Sequence, residues 1–430
     1  MSPARPPEGA RTAARSAEVS QCASPAQEAA ERAARQSYGR LIAILSARTR
    51  DIAASEDALA DAFARALERW PADGIPEQPE AWLLSVARNR LLDSWRHARV
   101  RDEAAQTLLL LADEVDVDTA GGEAVPDERL RLLFVCAHPA IDEAARTPLM
   151  LQTVLGLDAA RMAGAFLTAP ATLGQRLVRA KARIRTAGIP FEFPQLRDLP
   201  QRLQDVLDGI YAAYGTGWDD VDGTDAVRRL SAEAIELGTI LCRLMPGEAE
   251  PLGLLALMLF CEARDGARRD AAGAYVPFDA QDIACWNLPM LAEAERALMR
   301  AAALAMPGPY QIEAAIQSAH TQRRIGADVP PAALVELYNG LIALRPSVGA
   351  RVSRCCAVAR ADGVAAGLAA LEALGGDALE NYQPWWAARA HLLGEAGRHA
   401  EARAAYQRAI GLSTQQSIRN HLARVAAALG

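Results

Sequence analysis

One stretch limits this chain's choices more than any other: PATLGQRLVRAKARIRT, Pro170–Thr186. Leu173, Leu177, Ala180 and Ile184 recur at i, i+4, i+7 and i+11, a spacing that lines up only on a helix. A proline opens the run and Gly188 follows it, the order in which helices start and stop. Arg176, Arg179 and Arg183 fall on another face, with Lys181 and Arg185 beside them and no acid between. One buried face and one unbroken cationic face suit a polyanion, because each cation that meets a phosphate releases a counterion. A solvated basic surface helix would show the same pattern. The residues just before, 157–167 (LDAARMAGAFL), read as a short helix that Asp158 caps, with Met162 and Phe166 on one face. Thr168-Ala169-Pro170 then breaks the chain. Short helix, tight turn and longer basic helix form the helix-turn-helix pattern, whose second helix enters the major groove.

Aromatic residues are only 5% of the chain, and alanine and leucine dominate, which predicts an all-α protein. A length of 430 residues allows several domains. The net charge of −7 excludes a basic nucleic-acid coat, so any contact with DNA must come from local patches. Lys181 is the only lysine and follows Ala180, so no G-x-x-x-x-G-K-[ST] phosphate loop exists and a nucleotide-driven regulator of that kind is excluded. The seven cysteines form no C-x-x-C and no zinc spacing; they read as small buried hydrophobes in a reducing cytoplasm. Residues 1–25 lack an apolar core and read as a disordered tail rather than a signal peptide. No window reaches the ~18–20 apolar residues of a membrane span, and the run at 252–260 is too short. No Ser/His/Asp, Cys/His or metal constellation supports an enzyme, so no catalytic residue, metal or cofactor is expected. His138, in CAHP, reads as a turn histidine.

Two further helices precede the acidic middle of the chain. Residues 27–50 carry Leu41, Ile44 and Leu45 on one side. Residues 52–70 carry the stripe Leu59, Phe63, Ala66, Trp70, with Asp57, Asp61, Arg65 and Glu68 on the free face. A loop with Pro71, Gly74, Pro76 and Pro79 follows. Residues 80–100 then form a second basic helix, with Leu84, Ala87, Leu91 and Trp95 inward and Arg88, Asn89, Arg96 and Arg99 outward. Five arginines against one acid, Asp93, lie between 81 and 101. From 102 to 128 the charge inverts, with nine acids and no Lys or Arg, which predicts an acidic linker. Short helices over 128–137, 141–146 and 148–155 lead to the helix-turn-helix.

In order and spacing these modules resemble a sigma factor of the extracytoplasmic-function (ECF) group of the sigma-70 family. DIAASEDALADAFARALERW resembles region 2.2, PEAWLLSVARNRLLDSWRHARVRDE resembles regions 2.3–2.4, and DERLRLLFVCAHPAI through QRLVRAKARIRTAGIPF resembles region 4. The resemblance covers about the first 190 residues. It implies that Asp57, Asp61, Arg65 and Glu68 face core RNA polymerase. It implies that Trp82, Arg88, Asn89, Arg96 and Arg99 meet an opened −10 element. There cations would track phosphates and aromatics stack on bases, although Trp82 and Trp95 also suit a core. Thr172, Gln175, Arg176, Arg179, Lys181 and Arg183 would read the −35 element, and the acidic linker would imitate RNA in the polymerase channel. The chain departs from the family pattern at Ala159-Ala160-Arg161 and Met162-Ala163-Gly164.

The second half differs in kind. Trp386, Ala390, Leu393, Gly397, Ala402, Tyr406 and Ala409 match the tetratricopeptide (TPR) offsets, and Gly363 lies 34 residues before Gly397. Earlier units are degenerate. Such helix pairs stack into a solenoid. The whole chain resembles the sigma subgroup with a long C-terminal TPR-like extension, through VLDGIYAAYGTGWDD, LCRLMPGEAEPLGLLALMLF, MPGPYQIEAAI and YQPWWAARAHLLGEAGRHAEARAAYQRAI. Tyr214-Gly215-Thr216-Gly217-Trp218 stands where that subgroup has an F-N-E-G-Y-like segment. The expected layout is tail 1–25, sigma region 2 at 26–101, acidic linker 102–126, region 4 at 127–188 and extension 189–430. The expected partners are core RNA polymerase, promoter DNA and an unknown protein or ligand of the extension, with no membrane. A stand-alone helix-turn-helix regulator with a TPR sensor, or a TPR scaffold carrying a degenerate sigma module, would fit fewer of these motifs. The join at 189–199 (IPFEFPQLRDL) has two prolines and apolar residues, which predicts a stiff join against which region 4 packs.

Overall fold

A computed structural model describes residues 24–99, 127–163, 166, 168–194, 198–219, 225–322, 326, 329–375 and 379–429, with side chains for all but 35, 36, 95–99, 219 and 225–229. Among the described residues the regular structure is helical, apart from one isolated bridge between Arg269 and Tyr275, so the fold is all-α as the composition predicts. The expected acidic linker lies outside the described residues. So does the expected tail, except that Ser24 and Pro25 open the first helix. The chain divides into two packing units, residues 1–122 with 184–188, and residues 123–183 with 189–430.

The first unit holds α1 (Pro25–Thr49), α2 (Ile52–Asp73) and α3 (Pro79–Arg99), each packed on the other two. Ser24 caps α1 through the Gln27 amide. The α1–α2 corner is tight. Arg50 closes α1 in the left-handed region at φ 54°, its N–H on the Ser46 carbonyl, and Asp51 accepts the Ala54 amide at 3.1 Å to start α2. The buried face of α2 is Ile52, Ser55, Leu59, Ala62, Ala66 and Trp70. Phe63, expected on the stripe, is only half-buried. Ala62 replaces it because α2 meets helices on two sides, and a methyl group lets them approach more closely than a phenyl ring.

The second unit begins with α4 (Glu128–Cys136), α5 (Glu143–Leu155) and the single turn α6 (Ala159–Met162). Gly156 ends α5 in the left-handed region, with the Leu157 amide reaching back to the Leu151 carbonyl. Asp158 caps α6 as expected, through the Arg161 amide at 2.8 Å, and the Phe166 amide donates to the Met162 carbonyl at 3.3 Å. Residues 164, 165 and 167 lie outside the described residues. The basic helix, α7 (Pro170–Thr186), forms as predicted, with Leu173, Leu177, Ala180 and Ile184 all buried.

Next come α8 (Leu199–Asp219), α9 (Asp225–Leu244) and α10 (Ala249–Glu262). The apolar run at 252–260 lies in α10, which is buried on every side and packs against α8, α9, α11 (Leu288–Ala303) and α12 (Pro309–Thr321). Gly253 makes the α10–α12 approach possible, since a Cβ there would lie 2.7 Å from the Gln311 backbone nitrogen. Gly253→Ala is therefore expected to destabilise this unit by about 1–3 kcal/mol, the usual cost of forcing backbones apart, and a denaturant melt measures it. Glu250 caps α12 from outside: its carboxylate accepts the amides of Tyr310 (3.0 Å) and Gln311 (3.1 Å).

Within this unit α4 and α5 dock on α8. Arg146 pairs with Asp205 at 2.9 Å, Arg202 donates to the Phe134 carbonyl, and Gly209 leaves room for the Met150 side chain. Arg129 reaches Asp127 on its own side and Glu233 and Glu236 on α9, at 2.7, 3.1 and 3.1 Å. In the join, Ile189 and Phe191 are buried and Phe193 packs on Phe134, ring centroids 5.5 Å apart.

The chain closes with α13 (Pro331–Leu344), α14 (Val348–Asp362), α15 (Val364–Glu372), α16 (Gln383–Glu395), α17 (His399–Leu412) and α18 (Gln416–Ala428), each packed on the next. Gly363 and Gly397 turn the chain at φ 97° and 74°. Ala390, Leu393, Ala402, Tyr406 and Ala409 are all buried in one core. The YQPWW cluster serves that core. Trp385 and Trp386 meet edge to face at 4.8 Å, and their indole N–H groups donate to the Leu371 and Glu380 carbonyls.

Candidate nucleic-acid interface

Two basic helices, α3 and α7, carry the candidate residues. In α3 the buried positions are Leu83, Ala87 and Leu91, at i, i+4 and i+8. Leu84, expected inward, is half-buried and faces a groove between α1 and α3 instead. Of the expected stripe, Ala87 and Leu91 are buried, and Leu83 takes the place of Leu84. The groove has a volume of about 610 Å³, and Arg88 and Asn89 line it with Arg40, Ser37 and Leu41 of α1. Arg88 is half-buried, and its Nε has no hydrogen-bond partner. Burial, then the nearby charge of Arg48, pulls its guanidinium below the usual range. A desolvated cation with an unpaired donor is built to receive an acceptor, and a phosphate oxygen supplies both the acceptor and the charge. Asn89 is exposed beside it. Glu80, the acid of this groove, accepts from the Ser37 hydroxyl.

Trp82 stands apart from the groove. It packs edge-on against the buried Trp70, ring centroids 5.5 Å apart, and stays half-exposed. It is anchored without being enclosed. The side chains of Trp95, Arg96 and Arg99 lie outside the described residues, so the structure joins only Arg88 and Asn89 of this set.

On α2, Asp57, Arg65 and Glu68 are exposed, as the periodicity predicts. Asp61 is not free, because Arg90 of α3 donates to it at 2.6 Å. Leu67, 48% exposed, adjoins this face and falls off the apolar stripe. An exposed leucine beside mixed charges suits a protein partner more than a nucleic acid.

On α7, Thr172, Gln175, Arg179 and Arg183 are exposed, while Arg176 and Lys181 are half-buried. Arg179 donates weakly to the Gln175 carbonyl and Arg183 to the Ala140 carbonyl, both at 3.4 Å. Val178 sits among these cations 68% exposed, a position the charge pattern alone does not reveal. His138 is a turn histidine as expected: its Nδ1 accepts the Ala140 amide, and burial with the charges of Arg202 and Arg146 lowers its pKa. No group of His, Cys, Asp or Glu among the described residues could hold a metal ion, and no described helix is long and apolar enough to cross a membrane.

Residues 33–101, which span α1–α3, match sigma-70 region 2, and residues 202–302 match a family of unknown function, DUF6596. A probable RNA polymerase sigma factor, RfaY, of Xanthomonas campestris pv. campestris is 32% identical over 162 residues, 35% of this chain and 40% of that one. The region 2 match and this relative support a sigma-70 family sigma factor. Its fuller relative is an uncharacterized protein of Rhizobium meliloti (strain 1021), 39% identical over 378 residues, 86% of this chain and 88% of that one. No solved structure matches the chain.

Proposed function

We propose that this protein is an ECF-type sigma factor that directs core RNA polymerase to specific promoters, with a TPR-like extension that supports it. In this reading the α2 face of Asp57, Arg65 and Glu68 binds core polymerase, with Asp61 set by its Arg90 pair. The α3 groove takes the single-stranded −10 element, and α7 reads the −35 element. The observation that carries it is Arg88, a desolvated cation with an unpaired donor, inside the segment that matches sigma-70 region 2. Val178, exposed among cations, could meet a thymine methyl group in the major groove.

Run-off transcription with purified core polymerase on the gene's own upstream region tests the proposal. No core-dependent transcript from any candidate promoter would favour a stand-alone DNA-binding regulator. Two substitutions separate the surfaces. Glu68→Arg is expected to weaken core association several-fold with melting unchanged, because an exposed side chain moves stability by about 0.5 kcal/mol at most. Asp61→Arg also breaks the Arg90 pair, so it is the less clean test. Arg179→Ala is expected either to lower affinity evenly across sequences and reduce the salt slope by about 1, or to relax one base position at about 1–3 kcal/mol. Arg176→Ala is read the same way. Unchanged affinity and transcription in both would remove α7 from the reading role.

A further inference from the structure

A cleft of about 950 Å³ opens in the second unit, between α8, α10 and α12. That volume is at the upper end for small-molecule sites. Its polar centre is Arg264, just past α10, which is 6% exposed. The guanidinium donates to the Phe260 carbonyl at 3.1 Å and to Gln317 Oε1 at 2.8 Å, with Cys261 Sγ at 3.9 Å. The Phe278 ring lies 4.6 Å from its central carbon. Among the described residues no carboxylate pairs with it. A buried cation without a counter-charge carries a desolvation cost of several kcal/mol that neutral partners only partly offset. The carboxylate that does line the cleft, Glu313, is otherwise engaged: Tyr211 donates to it at 3.3 Å, and burial raises its pKa although Arg345 opposes the rise. Tyr211 and Trp218 line the cleft, with the Arg268 guanidinium 3.9 Å from the Trp218 ring centroid and Tyr214 stacked on the same ring.

We propose that this cleft is a receptor site for a small organic carboxylate with a flat apolar body, its carboxylate held by Arg264 and its body between Tyr211 and Trp218. The neighbouring Arg268 is already paired with Asp265 and bonded to the Trp218 carbonyl, so Arg264 is the buried guanidinium left without a counter-charge, which matches a monoanion. The position also gives an occupant something to act on. The same cleft is lined by Arg161 and Met162 of α6, directly before the basic helix, and by Gln415 at the start of α18. A ligand that favours one arrangement of those walls couples the last helix pair to the segment leading into α7, by as much as its affinities for the arrangements differ.

The test uses the full chain and two probes with one ring system, 2-naphthoate and its neutral amide, 2-naphthamide. Tryptophan fluorescence and the melting temperature report binding. The acid is expected to bind saturably and at least tenfold more tightly than the amide. Arg264→Gln is expected to remove that preference. Thr216→Trp, which narrows the wall and leaves Arg264 in place, is expected to weaken the acid at least tenfold, and it keeps the test decisive where the Arg264 variant does not fold. Absence of binding by 2-naphthoate, equal binding of acid and amide, or undiminished binding in Thr216→Trp would each overturn the proposal. The readout is binding, so the outcome is independent of promoter recognition.

Discussion

A chain ending at Gly188 is expected to lose transcription, not to gain it. An extension that merely inhibits would release activity when removed. The packing argues otherwise, because α4 and α5 bury their apolar faces in the same unit as α8 and α9. Leu130, Phe134, Leu149 and Met150 are each no more than 1% exposed. Removal of residues 189–430 uncovers that surface and strips Arg129 and Arg146 of Glu233 and Asp205. Uncovering a single large apolar side chain costs about 1.5–3 kcal/mol, so several together exceed what a small helical module can hold. Stopping after residue 377 is the milder cut, since it removes only α16–α18. Yet Leu368, Leu371 and Cys355 share a core with those helices and would face water. Both truncated chains are expected to fall at least tenfold in run-off transcription and to show increased proteolysis. Full or enhanced activity from residues 1–188 would make the extension an autoinhibitor.

Arg129→Ala is expected to destabilise the second unit strongly. Its side chain is 12% exposed and holds three acids, Asp127, Glu233 and Glu236. Burial alone would lower the Arg129 guanidinium, but the hydrogen bond and charge of Asp127, with Glu236 and Glu233, raise it. Glu233 also lies above the usual carboxylate range, because its burial outweighs the attraction of Arg129 and the other two acids push the same way. Without Arg129 three carboxylates face one another. The loss is expected at about 2–3 kcal/mol, less than the 3–5 of a fully buried pair because Glu236 remains 60% exposed. The pH dependence has a definite sign. A carboxyl with a raised folded pKa binds protons more readily in the folded state, so its destabilising effect shrinks as pH falls through that folded pKa. Removal of Arg129 lifts Glu233 further and widens that window. The gap between variant and parent in denaturant melts should therefore narrow on acidification from neutrality toward the usual carboxylate range. A gap that grows would show that Glu233 stays ionised.

How much of this was legible beforehand depended on how many neighbours a helix has. The α7 stripe was read in full, since Leu173, Leu177, Ala180 and Ile184 lie on one buried face. For α2 and α3 the stripe is right in kind but displaced, with Ala62 buried where Phe63 is expected and Leu83 where Leu84 is. Hydrophobicity ranks phenylalanine first, whereas close packing favours the methyl group. The candidate site was legible as residue types but not as pairings. Nothing local to Asp61 announces Arg90, 29 positions away, and nothing in the Arg88 segment reveals that its Nε lies unpaired. The stretches VLDGIYAAY, PGEAEPLG and GPYQIEAA have no visible relation in sequence. They meet where Asp208 accepts the Tyr310 hydroxyl at 2.6 Å and Glu250 accepts the α12 amides.

That borrowed cap has a consequence for the order of assembly. Gly308, at the cap position of α12, has no side chain to satisfy the first amides, and a Cβ there would collide with Glu250. An isolated segment of 13 residues is a marginal helix in water even when capped. Helix α12 therefore matures only after α10 has brought Glu250 to its end, and the two rise or fall as one cooperative element. In hydrogen exchange the amides of Tyr310 and Gln311 should open with the α10 core and not by fraying, although they lie in the first turn of their own helix.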